Sequence, residues 1–377
     1  MNSQPLINNT IKKIASLQVP HQQSIDAAVQ RQSQLTKPEG ALGRLEILAE
    51  FIAGVAAVPN PTLHRKTIML AAADHGVAEE GVSAYPQEVT EQMVKNFLEG
   101  GAAINVLANS FKIDVKVIDA GINISSPIEG RLIQASLGKG TNNIALGYAM
   151  SYDKATDAIA RGIQIFIKTH AENPTNIIGL GEMGIGNTTS AAALISAIGQ
   201  LKPATVVGWG TGINPSQFNA KVAVIEQALD VNKDLIDDAH LMTSPEKGIS
   251  FLAVLGGFEI GILTGIALGA AANRIPIVID GVISATAVLL ASFVAPGIKN
   301  FTIPSHLSPE PGHKIVLEML EHKEAIFDLQ MRLGEGSGAA LAINLCDVAC
   351  RLLNNMSTFA EADVSTRSPA IKTEEHK

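Results

Sequence analysis

Cysteine is nearly absent: two residues in 377 cannot build a disulfide framework. Cys346 and Cys350 stand four apart in one apolar helical stretch, which reads as core packing rather than metal ligation. This usage points to a reducing cytoplasm. Positive charge is also short, with 28 Lys and Arg against 36 Asp and Glu and a net charge of −8. No basic stripe and no basic–aromatic interleaving appears, which argues against nucleic acid as a partner. The opening MNSQPLINNTIKK lacks the basic-then-apolar order of a secretory signal. No internal repeat or low-complexity tract is evident.

Long apolar runs, by contrast, are present, and the mean hydropathy is +0.22. Residues 251–272 have the length of a membrane span, and 277–295 nearly so. Glu259 falls inside the first and Asp280 near the start of the second, where an ionised group at bilayer depth would be costly. Residues 275–280, IPIVID, read better as a strand. Both runs are therefore expected to be buried elements of an α/β core, and no membrane span is expected.

The first 60 residues read as polar helices with an apolar face of Leu42, Leu45, Ile47 and Leu48, closed by the PNP of Pro59 to Pro61. A unit then recurs in which a short β-rich run ends in Gly or Asp and a helical segment follows. The runs are TIMLAAADHG (67–76), VKVIDAG (115–121), NIIGLGEMG (176–184), ATVVGWGTG (204–212), IPIVIDG (275–281) and KNFTIPS (299–305). Such alternation predicts an α/β fold with a doubly wound, mostly parallel sheet of about six strands. Ligands of such sheets bind beyond the carboxyl ends of the strands, which makes each strand-terminal loop a candidate site.

Among those loops, GLGEMGIGNTTSAAAL (179–194) runs from a strand through glycines into an alanine-rich helix opened by Asn187, Thr188 and Thr189. Glycine amides and a helix N-terminus together suit a phosphate. A tight strand-to-helix turn with a threonine cap would look the same. Gly179, Gly181 and Gly184 spell G-x-G-x-x-G, yet no acid follows Glu182 until Glu226, whereas a dinucleotide site wants one about 20 residues on. No Lys-Ser/Thr pair follows the loop, so the Walker pattern also fails. A second glycine loop, GWGTGIN (208–214), is followed by Lys221, which could reach an anion held between the two loops or stand in solvent. The acidic pair that precedes the Thr-Gly-Gly loop of diphosphate-dependent phosphoribosyltransferases is missing.

After the first strand, Asp74-His75-Gly76 could suggest a metal with His306 and His313, but the spacing fits no zinc pattern. A hydrogen-bonded Asp-His turn is the plainer reading. Ser83, Tyr85 and Gln92 offer an aromatic wall and polar groups suited to a flat heterocycle, or simple loop packing. Near the end, MRLGEGSGAA (331–340) isolates one acid, Glu335, between Gly334 and Gly336 at a helix start. Helix polarity would lower its pKa and burial beside Leu333 would raise it. A general base needs the second effect to win.

The segments KPEGALGRLE (37–46), DHGVAEEGVSAYPQEVT (74–90), GEMGIGNTT (181–189), FLAVLGGFEIGILTG (251–265), SHLSPEPGH (305–313) and RLGEGSGAAL (332–341) resemble, in order, motifs of nicotinate-nucleotide–dimethylbenzimidazole phosphoribosyltransferases. The likeness covers about residues 30–363. It departs at Val282, where the family usually carries Phe, and at Ala285-Thr286-Ala287. The resemblance implies transfer of phosphoribose from nicotinate mononucleotide to 5,6-dimethylbenzimidazole, with inversion at C1′ and no cofactor or metal. It also implies a homodimer and a Rossmann-like domain over 61–339. A small helical domain would join 1–60 with 340–365, leaving 366–377 as a frayed tail.

By the same resemblance Glu335 is the base and Glu182 serves the ribose hydroxyls or the developing positive charge. The 5′-phosphate falls near Gly184, Gly186, Gly210, Lys221, Ser308 and Gly338. Asn187, Thr188 and Gly336 complete the loops, while Ser83, Tyr85, Gln92 and Leu333 border the heterocycle. Two rival readings are an NAD-dependent oxidoreductase, which the missing acid disfavours, and a non-catalytic nucleotide-binding protein, which would not need Glu335.

Overall fold

The structure, a computed structural model, describes residues 3–124, 128, 130–210, 212 and 214–365. The tail expected at 366–377 lies outside the described residues. The chain opens with α1 (Ser3–Ser16), α2 (Gln22–Gln34), α3 (Arg44–Ala56), β1 (Lys66–Ala73), α4 (Val89–Glu99), α5 (Ala103–Phe111), β2 (Ile113–Gly121) and β3 (Ile133–Gln134). It continues through α6 (Tyr152–Glu172), β4 (Ile177–Met183), α7 (Asn187–Gly199), α8 (Pro203–Val206), α9 (Pro215–Val231), α10 (Lys233–Leu241) and α11 (Glu246–Leu255). The remainder is α12 (Phe258–Ala272), β5 (Ile277–Ile279), α13 (Val282–Val294), β6 (Thr302–Pro304), α14 (Pro311–Met319) and α15 (Ser337–Asn355).

Two compact units emerge. One holds Leu63–Leu345 with the chain up to Val19, the other Pro20–Thr62 with the chain from Cys346 on. The expected grouping of residues 1–60 is drawn differently at its start. Helix α1 counts with the first unit because Ile7 and Ile14 are buried, and it packs on α6 and α12. In the second unit, Ala28, Ala49, Ala53, Ala349 and Leu353 form a small core against which Leu45 and Leu48 pack. Ile47, expected on that face, is 62% exposed: α3 directs Ala49 and Ala53 inward and carries Ile47 away from them.

The first unit is built on a six-stranded sheet in the order β3-β2-β1-β4-β5-β6, with every pairing parallel. The order reverses between β1 and β4, which is where a doubly wound sheet opens a crevice. Five of the six expected strands form. The fourth, ATVVGWGTG, does not: Pro203 starts the helical turn α8, and Val206 and Val207 are buried without pairing. A proline at the first helical position favours that outcome. The sixth strand is instead β3, two residues paired to β2 through Ile118↔Ile133 and Asp119↔Gln134. So short a strand leaves no alternation to read.

The two apolar runs are core elements. Residues 251–272 break at Gly256 and Gly257 between α11 and α12, and every residue of α12 is buried. A helix that is apolar all round belongs in a core. Among the described residues no helix is long and apolar enough to cross a membrane. Glu259 has a partner in place, its Oε1 lying 2.8 Å from His75 Nε2.

Helices α6 and α12 cross at backbone contact through Gly162 and Gly265. A Cβ on Gly265 would stand 2.0 Å from the Ile159 carbonyl oxygen, and one on Gly162 would stand 2.1 Å from that of Ile262. Alanine has the better helix propensity by about 1 kcal/mol. Overpacking here forces two helices apart, and a strain of about 3 kcal/mol, the upper part of the usual range, outweighs that gain. Gly265→Ala should therefore lower stability by about 2 kcal/mol in urea unfolding. A variant as stable as the parent would show that the crossing is loose.

Candidate active site

A cavity of about 710 Å³ opens in the first unit beyond the carboxyl ends of the strands. Its walls come from the segment after β1 (Tyr85, Val89, Met93), the end of β4 and start of α7 (Glu182 to Ile185, Asn187, Thr188), and Gly210. Gly281, Val282 and Ile283 follow β5; His306, Ser308 and Glu310 follow β6; Arg332 to Glu335 close the ring.

Glu335 stands on an unusual piece of backbone. Gly334, Glu335 and Gly336 are all left-handed, with φ of +80°, +62° and +82°. Glycine adopts that region freely, whereas a glutamate there is strained. Five hydrogen bonds hold the turn. Ser337 donates from its amide (3.0 Å) and hydroxyl (2.7 Å) to the Gly334 carbonyl. The Asp280 carboxylate accepts from the amides of Gly336 (3.1 Å) and Ala339 (2.9 Å). The Glu335 amide donates to the Glu182 carboxylate. The turn also lies directly on β4, since a Cβ on Gly181 would stand 2.7 Å from the Glu335 carbonyl oxygen.

That contact explains the glycine spacing of β4. A Cβ at Gly179 would press on Ile68, Ala339 and Ile343, and one at Gly184 on the Ala73 carbonyl at 2.3 Å. The G-x-G-x-x-G glycines thus serve the seating of neighbouring backbone and side chains. Only Gly184 of the three borders the cavity.

Three acids gather at this edge. Glu182 is buried, and desolvation, helped by the charges of Asp280 and Glu259, pushes its pKa up to about 8 against the Asn187 and Glu335 hydrogen bonds. Desolvation likewise pushes Asp280 up to about 7, opposed by the amides of Ala339, Gly336 and Gly338. Glu335 is raised by burial and held back by a hydrogen bond from the Ile104 backbone in the first turn of α5. Its Oε2 is buried without a hydrogen-bond partner among the described residues.

A second corner of the site carries cationic groups. Helix α9 is started by a reciprocal cap in which Asn214 Oδ1 accepts from the Gln217 amide and Gln217 Oε1 from the Asn214 amide. It carries Lys221 inward, 1% exposed, where Nζ donates to Thr188 Oγ1 at 2.8 Å. Burial lowers the pKa of this lysine to about 8, with Glu310 acting against the shift. Glu310 Oε1 accepts from the Gly210 amide (3.0 Å), and Arg332 donates to the Gly210 carbonyl (2.7 Å). Helix α7, capped at Gly186 (φ +97°), starts at the same corner, its positive end beside the Lys221–Thr188 contact.

Of the residues singled out in the sequence, Tyr85, Glu182, Gly184, Asn187, Thr188, Gly210, Ser308, Leu333 and Glu335 border the cavity. Lys221, Gly186, Gly336 and Gly338 stand just behind its walls: Lys221 on Thr188, Gly186 on His75, Gly336 and Gly338 beside Asp280. Ser83 Oγ accepts from the Tyr85 amide. Gln92 is exposed and off the wall, because α4 presents Val89 and Met93, four residues apart, to the cavity. Tyr85 and Leu333 are each 55% exposed, so they form a rim rather than a sealed pocket. The Asp-His turn is hydrogen-bonded, Asp74 accepting from the Asn123 amide and His75 meeting Glu259. Among the described residues no three His, Cys, Asp or Glu side chains gather as a metal site.

Asp280, Glu310 and Arg332 escaped the sequence reading as site residues, and His306 figured there only as a metal helper. Asp280 and His306 follow β5 and β6 directly, so the strand-end rule alone could have found them. Ser308 and Glu310 are set by a local turn in which the Ser308 amide donates to His313 Nδ1.

A family model described as phosphoribosyltransferase matches residues 17–364. The chain is 45% identical over 365 residues to the nicotinate-nucleotide–dimethylbenzimidazole phosphoribosyltransferase of Chloroflexus aggregans, covering 97% of this chain and 99% of that one. It is 45% identical to the enzyme of the same name from Geobacter metallireducens, covering 90% and 95%. The solved structure of CobT from Thermus thermophilus superposes with a TM-score of 0.83 at 40% identity, covering 91% and 99%.

Glu182 and Asp280 both bind their protons more tightly folded than unfolded. The stability this adds is complete below the ordinary carboxylate range near pH 4 and is lost as pH rises through about 7 to 8. Glu182→Gln keeps the shape and cannot ionise. The urea midpoint of the parent should fall between about pH 5 and about pH 9 more steeply than that of the variant, other titrating groups being common to both. Parallel pH profiles would assign the steepness to another group.

Proposed function

The chain belongs to the nicotinate-nucleotide–dimethylbenzimidazole phosphoribosyltransferase family, and on that premise we propose that it transfers phosphoribose from nicotinate mononucleotide to 5,6-dimethylbenzimidazole. The products are nicotinate and α-ribazole 5′-phosphate. One observation carries the assignment of the base: the buried Glu335 carboxylate borders the cavity with one oxygen unpaired among the described residues.

In the proposed reaction a benzimidazole nitrogen attacks C1′ from the face opposite nicotinate, so the β-glycoside becomes α. The C1′–N bond to nicotinate breaks and its electron pair neutralises the pyridinium ring. The proton on the other benzimidazole nitrogen passes to Glu335. A neutral base losing one proton needs one carboxylate, and desolvation raises the proton affinity of this one. Nicotinate departs as a stable pyridine, so the proposal invokes no metal or cofactor.

Charge is divided in keeping with that substrate. The pyridinium and the cationic ribosyl transition state face Glu182, while the 5′-phosphate meets the α7 N-terminus, Thr188, Gly210, Ser308 and Lys221. Asn187, Gly184, Gly186 and Gly338 shape those loops. Tyr85, Leu333, Val89, Met93 and Val282 supply apolar surface for the acceptor ring, with Ser83 and Gln92 further out. The proposal includes a homodimer, as the resemblance implies, in a reducing cytoplasm, in keeping with two free buried cysteines.

Glu335→Gln preserves shape and removes the proton acceptor. Released nicotinate should report a kcat lower by about two to four orders of magnitude, with nucleotide affinity little changed. The acid limb of kcat/KM should vanish with it, because that limb is the protonation of Glu335. Near-full turnover in this variant would refute the base assignment. Lys221→Ala should mainly raise KM for the nucleotide; an unaltered KM would remove Lys221 from the phosphate site.

A further inference from the structure

We propose that Asp280 is the positioning residue that fixes where the Glu335 carboxylate stands. The inference rests on the reading of Glu335 as the base. Asp280 is 1% exposed and does not border the cavity, although its neighbours Gly281 and Val282 do. It therefore cannot act by touching substrate. Its carboxylate spans the turn instead: Oδ2 takes the Gly336 amide, next to Glu335, and Oδ1 takes the Ala339 amide two residues into α15.

The anchor is itself held. The Asp280 amide donates to Ser284 Oγ in α13 (2.9 Å), and its carbonyl accepts from Ser305 Oγ beyond β6 (3.2 Å). The carboxylate is thus tied to the end of the sheet on one side and to the left-handed turn on the other. A glutamate at φ +62° relaxes toward ordinary backbone unless its neighbours forbid it. The Gly336 amide is the point at which that is forbidden, and loss of its acceptor frees the peptide that carries Glu335. Gly338 completes the fit, since a Cβ there would stand 2.1 Å from His306 Nδ1 and 2.9 Å from Asp280 Oδ1.

Asp280→Asn keeps volume but turns one acceptor into a donor facing a backbone amide. In the full-length protein, kcat for nicotinate release should fall by about 10–100-fold, as expected for a reacting group displaced by about 1 Å, while KM for nicotinate mononucleotide changes by less than about 3-fold. The decisive measurement is the double variant. If Asp280 acts through Glu335, then adding Asp280→Asn to Glu335→Gln should cost less than about 3-fold further. Asp280→Ala, which removes both acceptors without adding a donor, should repeat the pattern.

Equal losses in both backgrounds, or a single variant with parental kcat, would overturn the proposal. So would the absence of cooperative melting in both Asp280 variants, because the carboxylate would then hold the fold rather than the turn. If Glu335→Gln alone keeps its turnover, the base reading fails and takes this one with it. If Glu335→Gln is impaired and Asp280→Asn is not, only the positioning role is lost.

Discussion

The contact on which the site depends is backbone against backbone: the Glu335–Gly336 peptide lying on Gly181 of β4. A side chain at Gly181 would meet the Glu335 carbonyl carbon at 2.9 Å and its oxygen at 2.7 Å, and one at Gly336 would meet Ile68 at 2.9 Å. The strand cannot retreat. Strand β4 is central, paired to β1 through Leu70↔Gly181 and Ala71↔Glu182 and to β5 through Gly179↔Val278. A short loop pressed on a central strand inherits that rigidity, which a surface loop carrying a glutamate would lack.

The same contact sets the electrostatics. Seating the turn on β4 places the Glu335 amide at the Glu182 carboxylate and the start of α15 at Asp280. Each acid is desolvated, and each is compensated by amides rather than by a lysine or arginine. Compensation by neutral donors leaves Glu182, the one of the two that borders the cavity, without a salt bridge, so that in its ionised form it can face an external cation. Lys221, by contrast, is engaged with Thr188 and balanced by Glu310. Under the proposed reaction, the pyridinium and phosphate of one substrate are drawn to different groups of the site.

Much of this was legible along the chain, and the failures at the site come from partners distant in sequence. Runs such as TIMLAAADHG and NIIGLGEMG became β1 and β4 because local apolar β-rich patterning decides a central strand. Glu335 stood out because an acid between glycines is a local anomaly. Gly179 and Gly181, however, suggested a phosphate loop, although their role is to admit a segment more than 150 positions later. Asp280 counted only against a membrane span, since its partners Gly336 and Ala339 lie 56 and 59 residues away. The strand expected in ATVVGWGTG failed for a local reason, Pro203, that an apolar tally does not weigh.

The apolar wall of the cavity takes no part in these hydrogen bonds. Val89 and Met93 come from α4, and Val282 and Ile283 from the first turn of α13; none of them takes part in the hydrogen bonds that hold the Glu335 turn. Their volumes can change with no change in the backbone that carries the proposed base. Val282 is where the resemblance would place a phenylalanine, and a smaller side chain there leaves more room against the acceptor ring. Under the proposed function, acceptor choice is then a matter of apolar fit at two helix starts, worth about 1–3 kcal/mol per methylene-sized change. Proton removal, by contrast, depends on a turn seated on the sheet and held by Asp280. The two properties can vary separately because apolar side chains supply the one and the hydrogen bonds of the Glu335 turn the other.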